Sequence, residues 1–261
     1  PSILDVLMVN PYQAVDFGTH AAGRHLIRNL YGMPLYKGIF IDQCYDVGRI
    51  ENVHFWPFWN PNDAEKNKEL HQFISTKGEA FIFARTDWEY VTNTFSWGYR
   101  VGYHFAKSPS GYTNGNFLGI GADATEIAVL VDECAPYGLL ITNGEFVSFN
   151  GDAPTAVVVG EDNIGAVQFH NCSFWGPMAR VAQIKGLGVT MFNGCTFVEW
   201  DGKNRRDPAI EAAGGTLMVT GCNFARTGPH IRLERGLEGA VITGNRFVGP
   251  VAIENHSDGQ V

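Results

Sequence analysis

Six carboxylates near strand-like segments are the first residues of this chain that could do chemistry: Asp42, Asp46, Asp87, Glu89, Asp132 and Glu133. Asp42 and Asp132 end two segments that match position for position, Ile39-Phe40-Ile41-Asp42-Gln43-Cys44 and Val129-Leu130-Val131-Asp132-Glu133-Cys134. Two carboxyl groups about 5–5.5 Å apart suit a retaining glycosidase, and about 6.5–9.5 Å an inverting one. One would protonate the leaving oxygen, and the other would attack or activate water. Asp42, Asp87, Glu89 and Asp132 are therefore the acid/base candidates. The alternative reading makes them solvated turn residues or ligands of a structural Ca²⁺.

Aromatic residues crowd the same region. His54, Trp56, Trp59, Trp88, Trp97, Tyr99, Tyr103 and His104 form the candidate substrate platform, and four of the six tryptophans lie between residues 56 and 97. An aromatic face suits the apolar C–H face of a sugar ring. The competing reading is that these rings pin neighbouring chain segments to the scaffold. His20, His25, His54 and His104 lack metal-binding spacing, and no Cys-x-x-Cys occurs, so no metal site is expected.

The elements that must hold these groups repeat. Asn143-Gly144-Glu145-Phe146, Asn171-Cys172-Ser173-Phe174, Gly194-Cys195-Thr196-Phe197, Gly221-Cys222-Asn223-Phe224 and Gly244-Asn245-Arg246-Phe247 follow one another at Phe-to-Phe steps of 28, 23, 27 and 23 residues. Each follows a short aliphatic stretch. A period of 20–30 residues with strand character marks a solenoid. A right-handed parallel β-helix of about eight coils fits best. Inward Phe would fill its core, and Asn at the turns would tolerate left-handed backbone and bond to its neighbours above and below. By this alignment Asp42 and Asp132 sit two coils apart, about 9–10 Å at ~4.8 Å per coil, with Asp87 and Glu89 on the coil between.

Two segments interrupt the repeat within what reads as one domain. Residues 61–74, in an insertion at about 60–77, read as a helix capped by Asn62 or Asp63, with Leu70, Phe73 and Ile74 as its apolar face. Residues 106–123 read as a long Gly/Ser/Asn-rich loop. Cys172, Cys195 and Cys222 share one position of the repeat and are expected to stack as buried thiols; five cysteines cannot all pair internally. Glu211, Glu234 and Glu254 read as a solvated edge or as partners of Arg232, Arg235 and Arg246.

Composition sets outer limits. The net charge of −8 gives no basic patch for a phosphate backbone, so nucleic acid is not an expected partner. No run of 18 apolar residues suggests a membrane span. The chain starts at Pro1 and ends at Val261 within what reads as another turn of the repeat, so a segment of a longer protein is expected. Further domains of that protein, or a homo-oligomer, would then be its partners beside a glycan.

Gly38-Ile39-Phe40-Ile41-Asp42-Gln43-Cys44-Tyr45-Asp46-Val47, leading into Ile50-Glu51-Asn52-Val53-His54-Phe55, resembles the pectate-lyase-like β-helix superfamily. It is most similar to the bacterial group related to polygalacturonase-type glycoside hydrolases. The resemblance implies a polysaccharide or oligosaccharide ligand and an extracytoplasmic, secreted or periplasmic site. The Asn-Thr-Asp, Asp-Asp, Gly-His-Gly and Arg-Ile-Lys phrases of polygalacturonases are absent, Asn93-Thr94 being followed by Phe95, so no catalytic residue carries over. The expected activity is glycoside hydrolysis without a cofactor. The alternatives are a polysaccharide lyase, which would use Ca²⁺, and a non-catalytic glycan-binding or structural β-helix of the tailspike or adhesin kind.

Overall fold

The computed structural model describes residues 1–59, 67–259 and 261. It is an all-β parallel solenoid of about ten turns. One sheet has ten strands, in the order Gln13–Phe17, Lys37–Ile41, Glu79–Phe83, Val101–Phe105, Ile127–Val131, Thr155–Val159, Arg180–Ile184, Ile210–Ala212, Ile231–Leu233 and Ile253–Asn255. The other has 15 strands and folds around a corner. In its N-terminal part, Ser2–Met8, Leu26–Gly32, Arg49–Phe55, Glu89–Trp97 and Thr113–Thr125 each run through that corner. Further on, each turn splits there into two strands, such as Val189–Asn193 and Thr196–Phe197.

The corner has a single cause repeated down the stack. One residue per turn adopts left-handed backbone, successively Asp5, Asn29, Asn52, Asn93, Gly119, Asn143, Asn171, Gly194, Gly221 and Gly244, with φ between 51° and 68°. Asn, Asp and Gly tolerate this conformation because of a short polar side chain or no Cβ. The Asn residues also bond along the stack. Asn29 Nδ2 donates to Asp5 Oδ1 at 2.6 Å, Asn52 Nδ2 to Asn29 Oδ1 at 2.8 Å, Asn93 Nδ2 to Asn52 Oδ1 at 3.3 Å and Asn171 Nδ2 to Asn143 Oδ1 at 2.8 Å.

Inside the corner, like stacks on like. Phe146, Phe174, Phe197, Phe224 and Phe247 form a continuous column with ring-centre separations of 5.4, 5.6, 4.8 and 4.7 Å. Full burial of such a side chain contributes about 1.5–3 kcal/mol. Cys172, Cys195 and Cys222 line up beside them, and all five cysteines are free and buried. Each thiol of this trio donates to carbonyl oxygens, Cys222 Sγ to Phe192 O and Thr220 O at 3.4 Å for example. Of the later edge carboxylates, Glu211, Glu234 and Glu254 all pair with Arg232, at 3.7, 4.0 and 2.7 Å.

Two sequence expectations change. The solenoid has ten strands in its smaller sheet where eight coils were read, because Gln13–Phe17 and Val101–Phe105 each form a rung. The stretch 106–123 is not one long loop: Thr113–Thr125 is the longest strand of the larger sheet. Its Gly115, Gly119 and Gly121 serve close strand packing and the corner rather than a flexible connection; a Cβ at Gly115 would lie 2.3 Å from Glu89 O. The helix is described from Asn67 to Lys77. The expected caps, Asn62 and Asp63, lie outside the described residues. Ile74 enters the core, Leu70 packs against it, and Phe73 meets Tyr12 at 6.4 Å.

Replacing Asn52 by Ala is expected to cost about 1–3 kcal/mol, from the left-handed backbone and the lost ladder bonds. Asn52→Gly should cost less, since it keeps the backbone freedom. The urea midpoint of each variant measures this. A thiol reagent should label essentially none of the cysteines in the native protein and all five after denaturation.

Candidate functional site

The four carboxylate candidates separate in the structure. Asp42 closes a turn: its Oδ1 accepts from Gln43 N–H at 2.7 Å, Arg85 N–H at 3.0 Å and the Ser108 hydroxyl at 3.1 Å. It is 8% exposed, and its Oδ1 is taken up by two backbone N–H groups and one hydroxyl. Glu89 is fully buried, with Oε1 2.8 Å from His25 Nε2. Asp132 ends the strand Ile127–Val131, three rungs from Asp42 rather than two, because Val101–Phe105 inserts between. At ~4.8 Å per rung that is about 14 Å, beyond the separation of either glycosidase geometry. Asp42 and Asp132 therefore do not form the expected acid/base pair. Asp87 stands apart again, 3.4 Å from Arg85 and bonded by Asn114 Nδ2 at 3.0 Å.

The aromatic candidates also divide. Tyr99 and Tyr103 are core residues, not surface ones. Tyr99 donates to Pro34 O at 2.7 Å, and Tyr103 stacks on Phe81 at 4.8 Å with its hydroxyl 2.8 Å from Thr94 Oγ1. Burial pushes both phenols above their ordinary range. His54, Trp56, Trp59 and Trp97 pack on one another outside the corner: His54 meets Trp56 at 5.5 Å and Trp59 at 5.6 Å, and Trp56 meets Trp97 at 6.1 Å. Burial among these rings lowers the His54 pKa and keeps its imidazole neutral. Trp97 also meets His71 of the helix at 6.2 Å, so this group fastens the helix to the sheet.

Trp88 is the exception. It is 58% exposed and stands at the mouth of a cleft of about 500 Å³ lined by Asp87, Tyr90, Asn114, Asn116, Tyr137 and Leu140. Tyr90, Asn116 and Leu140 come together because strict parallel register places them in one outward row across three strands. Tyr137, 66% exposed, rises from the strand Cys134–Thr142 beside that row. Trp88 itself is held in left-handed backbone, φ 61°, a costly state for a large side chain. Two bonds hold it: Trp88 N–H donates to Asn114 Oδ1 at 3.0 Å, and its indole N–H donates to Tyr90 Oη at 2.8 Å. The backbone bond and the Asn114–Asp87 bond tie the indole to the acid. Tyr90, Asn114, Asn116 and Tyr137 were not singled out from sequence. Outward alternation marks Tyr90 and Asn116 alone, and it does not say which rungs are neighbours.

A second cleft, about 460 Å³, is lined by Asp132, Lys107, Glu161, Asp162, Gln183 and Lys185. Its charges neutralise one another: Lys107 pairs with Glu133 and Asp162 at 3.4 Å each, and Lys185 with Glu161 at 3.2 Å. Behind it His104 bridges two carboxylates, with Nδ1 2.9 Å from Glu79 and Nε2 2.8 Å from Asp132, and Arg100 also pairs with Glu79. Burial opposes charging His104, but the bonds to Asp132 and Glu79 and their charges outweigh it and raise its pKa to about 9. His104 thus acts as a fixed cation under Asp132. Neither cleft gathers carboxylates at metal-ligand spacing. Among the described residues one such cluster is present, in the core at His25, Cys44 and Glu89.

No family model matches the chain, and neither a curated protein nor a solved structure matches it. The class of protein defined by the fold is the parallel β-solenoid. Among the described residues, no helix is long and apolar enough to cross a membrane.

The His104 bridge carries a pH dependence. Its folded pKa, about 9, lies above the ordinary 6.5, so its stabilisation is complete below about pH 6.5 and is lost as pH rises through about 9. The urea midpoint of the native chain should therefore fall more steeply over that range than that of His104→Gln. Parallel curves would remove the bridge as a source of stability.

Proposed function

We propose that this β-solenoid binds a carbohydrate chain, with the Trp88–Tyr90–Tyr137 cleft as its sugar subsite. One observation carries this reading. Three exposed aromatic rings converge on a cleft that also offers the amide of Asn116 and the Asp87 carboxylate. A sugar ring needs that pairing: an apolar surface against its C–H face, and directional polar groups for its hydroxyls. The resemblance to pectate-lyase-like β-helices supports the same ligand class, polysaccharide or oligosaccharide, and an extracytoplasmic setting.

Binding without cleavage is the form this geometry supports best. Among the described residues Asp87 is the one carboxylate lining the aromatic cleft, so none of them pairs with it across a sugar bound there. Hydrolysis is the second reading, favoured by Asp132, which is 44% exposed in a neighbouring cleft with Glu161 and Asp162. Lyase chemistry would need a cation, and activity lost to a chelator would mark it.

A glycan array followed by calorimetry on the best ligand tests the proposal. Trp88→Ala and Tyr137→Ala should each weaken binding about tenfold, equivalent to ~1.4 kcal/mol. Phe58→Ala, in the exposed part of the helix-side aromatic group, should leave it unchanged. The reverse pattern would move the site to the helix side and overturn the reading. Reducing ends released from a bound glycan, and lost in Asp132→Asn, would establish the hydrolytic form instead.

A further inference from the structure

The core of the N-terminal half holds a cluster that the glycan-binding reading does not use. His25 precedes the strand Leu26–Gly32, Cys44 lies in the turn after Lys37–Ile41, and Glu89 opens the strand Glu89–Trp97. All three are fully buried, and one ligand atom from each lies within 4.8 Å of the others. Parallel register puts His25 and Glu89 at the same inward position two rungs apart, because Leu26 faces Arg49 and Arg49 faces Tyr90. Gly48 occupies that position on the rung between. A Cβ there would lie 2.5 Å from His25 Nε2 and 2.5 Å from Glu89 Oε2. The missing side chain lets imidazole and carboxylate converge.

We propose that His25, Cys44 and Glu89 form a buried structural site for a divalent transition-metal ion, best suited to Zn²⁺. An independent observation points to a ligand: Glu89 Oε2 is buried and has no hydrogen-bond partner. An orphaned carboxylate oxygen in a protein core is costly, and a cation would satisfy it. The second shell fits as well. His25 Nδ1 lies 3.0 Å from Ala22 O, which can hold the ring proton there, and Nε2 lies 2.8 Å from Glu89 Oε1, so a cation bound between them would take the place of the proton they share. The Cys44 thiol donates to the Asp46 carbonyl at 2.8 Å, and metal binding would release that proton. Sulfur, imidazole nitrogen and carboxylate oxygen are the donors zinc takes, whereas a thiolate disfavours Ca²⁺ and Mg²⁺. Charge also balances, since two positive charges meet one thiolate and one carboxylate, with neutral imidazole.

Full burial makes the site structural and not hydrolytic, since no substrate reaches it. It would clasp three successive rungs of the larger sheet's inner edge, with the helix Asn67–Lys77 in the chain between Cys44 and Glu89. This is the place where a clasp has most effect, because the intervening chain leaves the solenoid and must return in register.

The test uses the full chain, untagged and purified without chelator. Elemental analysis should find about one zinc per chain, and Co²⁺ added to metal-stripped protein should give a near-ultraviolet sulfur-to-cobalt charge-transfer band. Cys44→Ser should abolish that band, and Glu89→Gln should weaken Zn²⁺ binding about tenfold or more, while Cys172→Ser keeps both. The wild-type protein decides the matter even if a variant fails to fold. Folded wild-type chain that retains no zinc and gives no charge-transfer band overturns the proposal, as does a band that survives Cys44→Ser.

Discussion

Everything in this molecule depends on one backbone event repeated once per turn. At the corner of the larger sheet the chain must enter left-handed backbone at the same position in each rung. Most residues resist this by roughly 1–2 kcal/mol, and Asn, Asp and Gly resist least. Because the corner recurs at one place, the strands on either side stay in register, and in parallel pairing register decides which side chains face the core. The Phe column, the thiol row and the outward row of Tyr90, Asn116 and Leu140 are consequences of that single repeated choice.

The corner residue changes along the stack, and the change has meaning. Where Asn holds it, side-chain amides link successive rungs. Where Gly holds it, from Gly194 onward, the corner amide is gone, while Cys172, Cys195 and Cys222 in the adjacent position donate to carbonyls of neighbouring turns whichever residue holds the corner. Stacked Phe and Cys dominate the regular half from Asn143 onward, and the irregular half before it adds buried pairs of histidine and carboxylate. Such pairs bring orientation at the expense of desolvation. His104 between Glu79 and Asp132, and His25 against Glu89, are two of them.

The irregular half is also where the surface acquires chemistry. The helix interrupts the stack and is held by His71 against Trp97, which uses the helix-side tryptophans as packing. Trp88 escapes that role because its backbone turns the other way, and Asn114 from the next strand secures it. A strained, exposed indole above a row of polar and aromatic side chains is a feature of recognition surfaces.

Much of the fold was legible in the chain. The Phe period, the Asn and Gly at turns, and the aliphatic stretches before them each reflect a local requirement: burial, left-handed backbone, strand pairing. Local requirements leave local traces. The glycines of Thr113–Thr125 misled, since glycine marks both a flexible loop and a strand pressed against its neighbours, and only the neighbours distinguish the two. The site was far less legible, because it depends on which rungs touch. One unrecognised rung, Val101–Phe105, moved Asp42 and Asp132 from about 9–10 Å to about 14 Å apart and dissolved their pairing. The same rule of stacking joined Tyr90, Asn116 and Tyr137 into a cleft, and His25, Cys44 and Glu89 into a cluster, across separations where no short motif could announce them. Sequence alone determined the repeat, because each turn carries its own physical instructions; tertiary structure alone decided the sites, because they lie between turns.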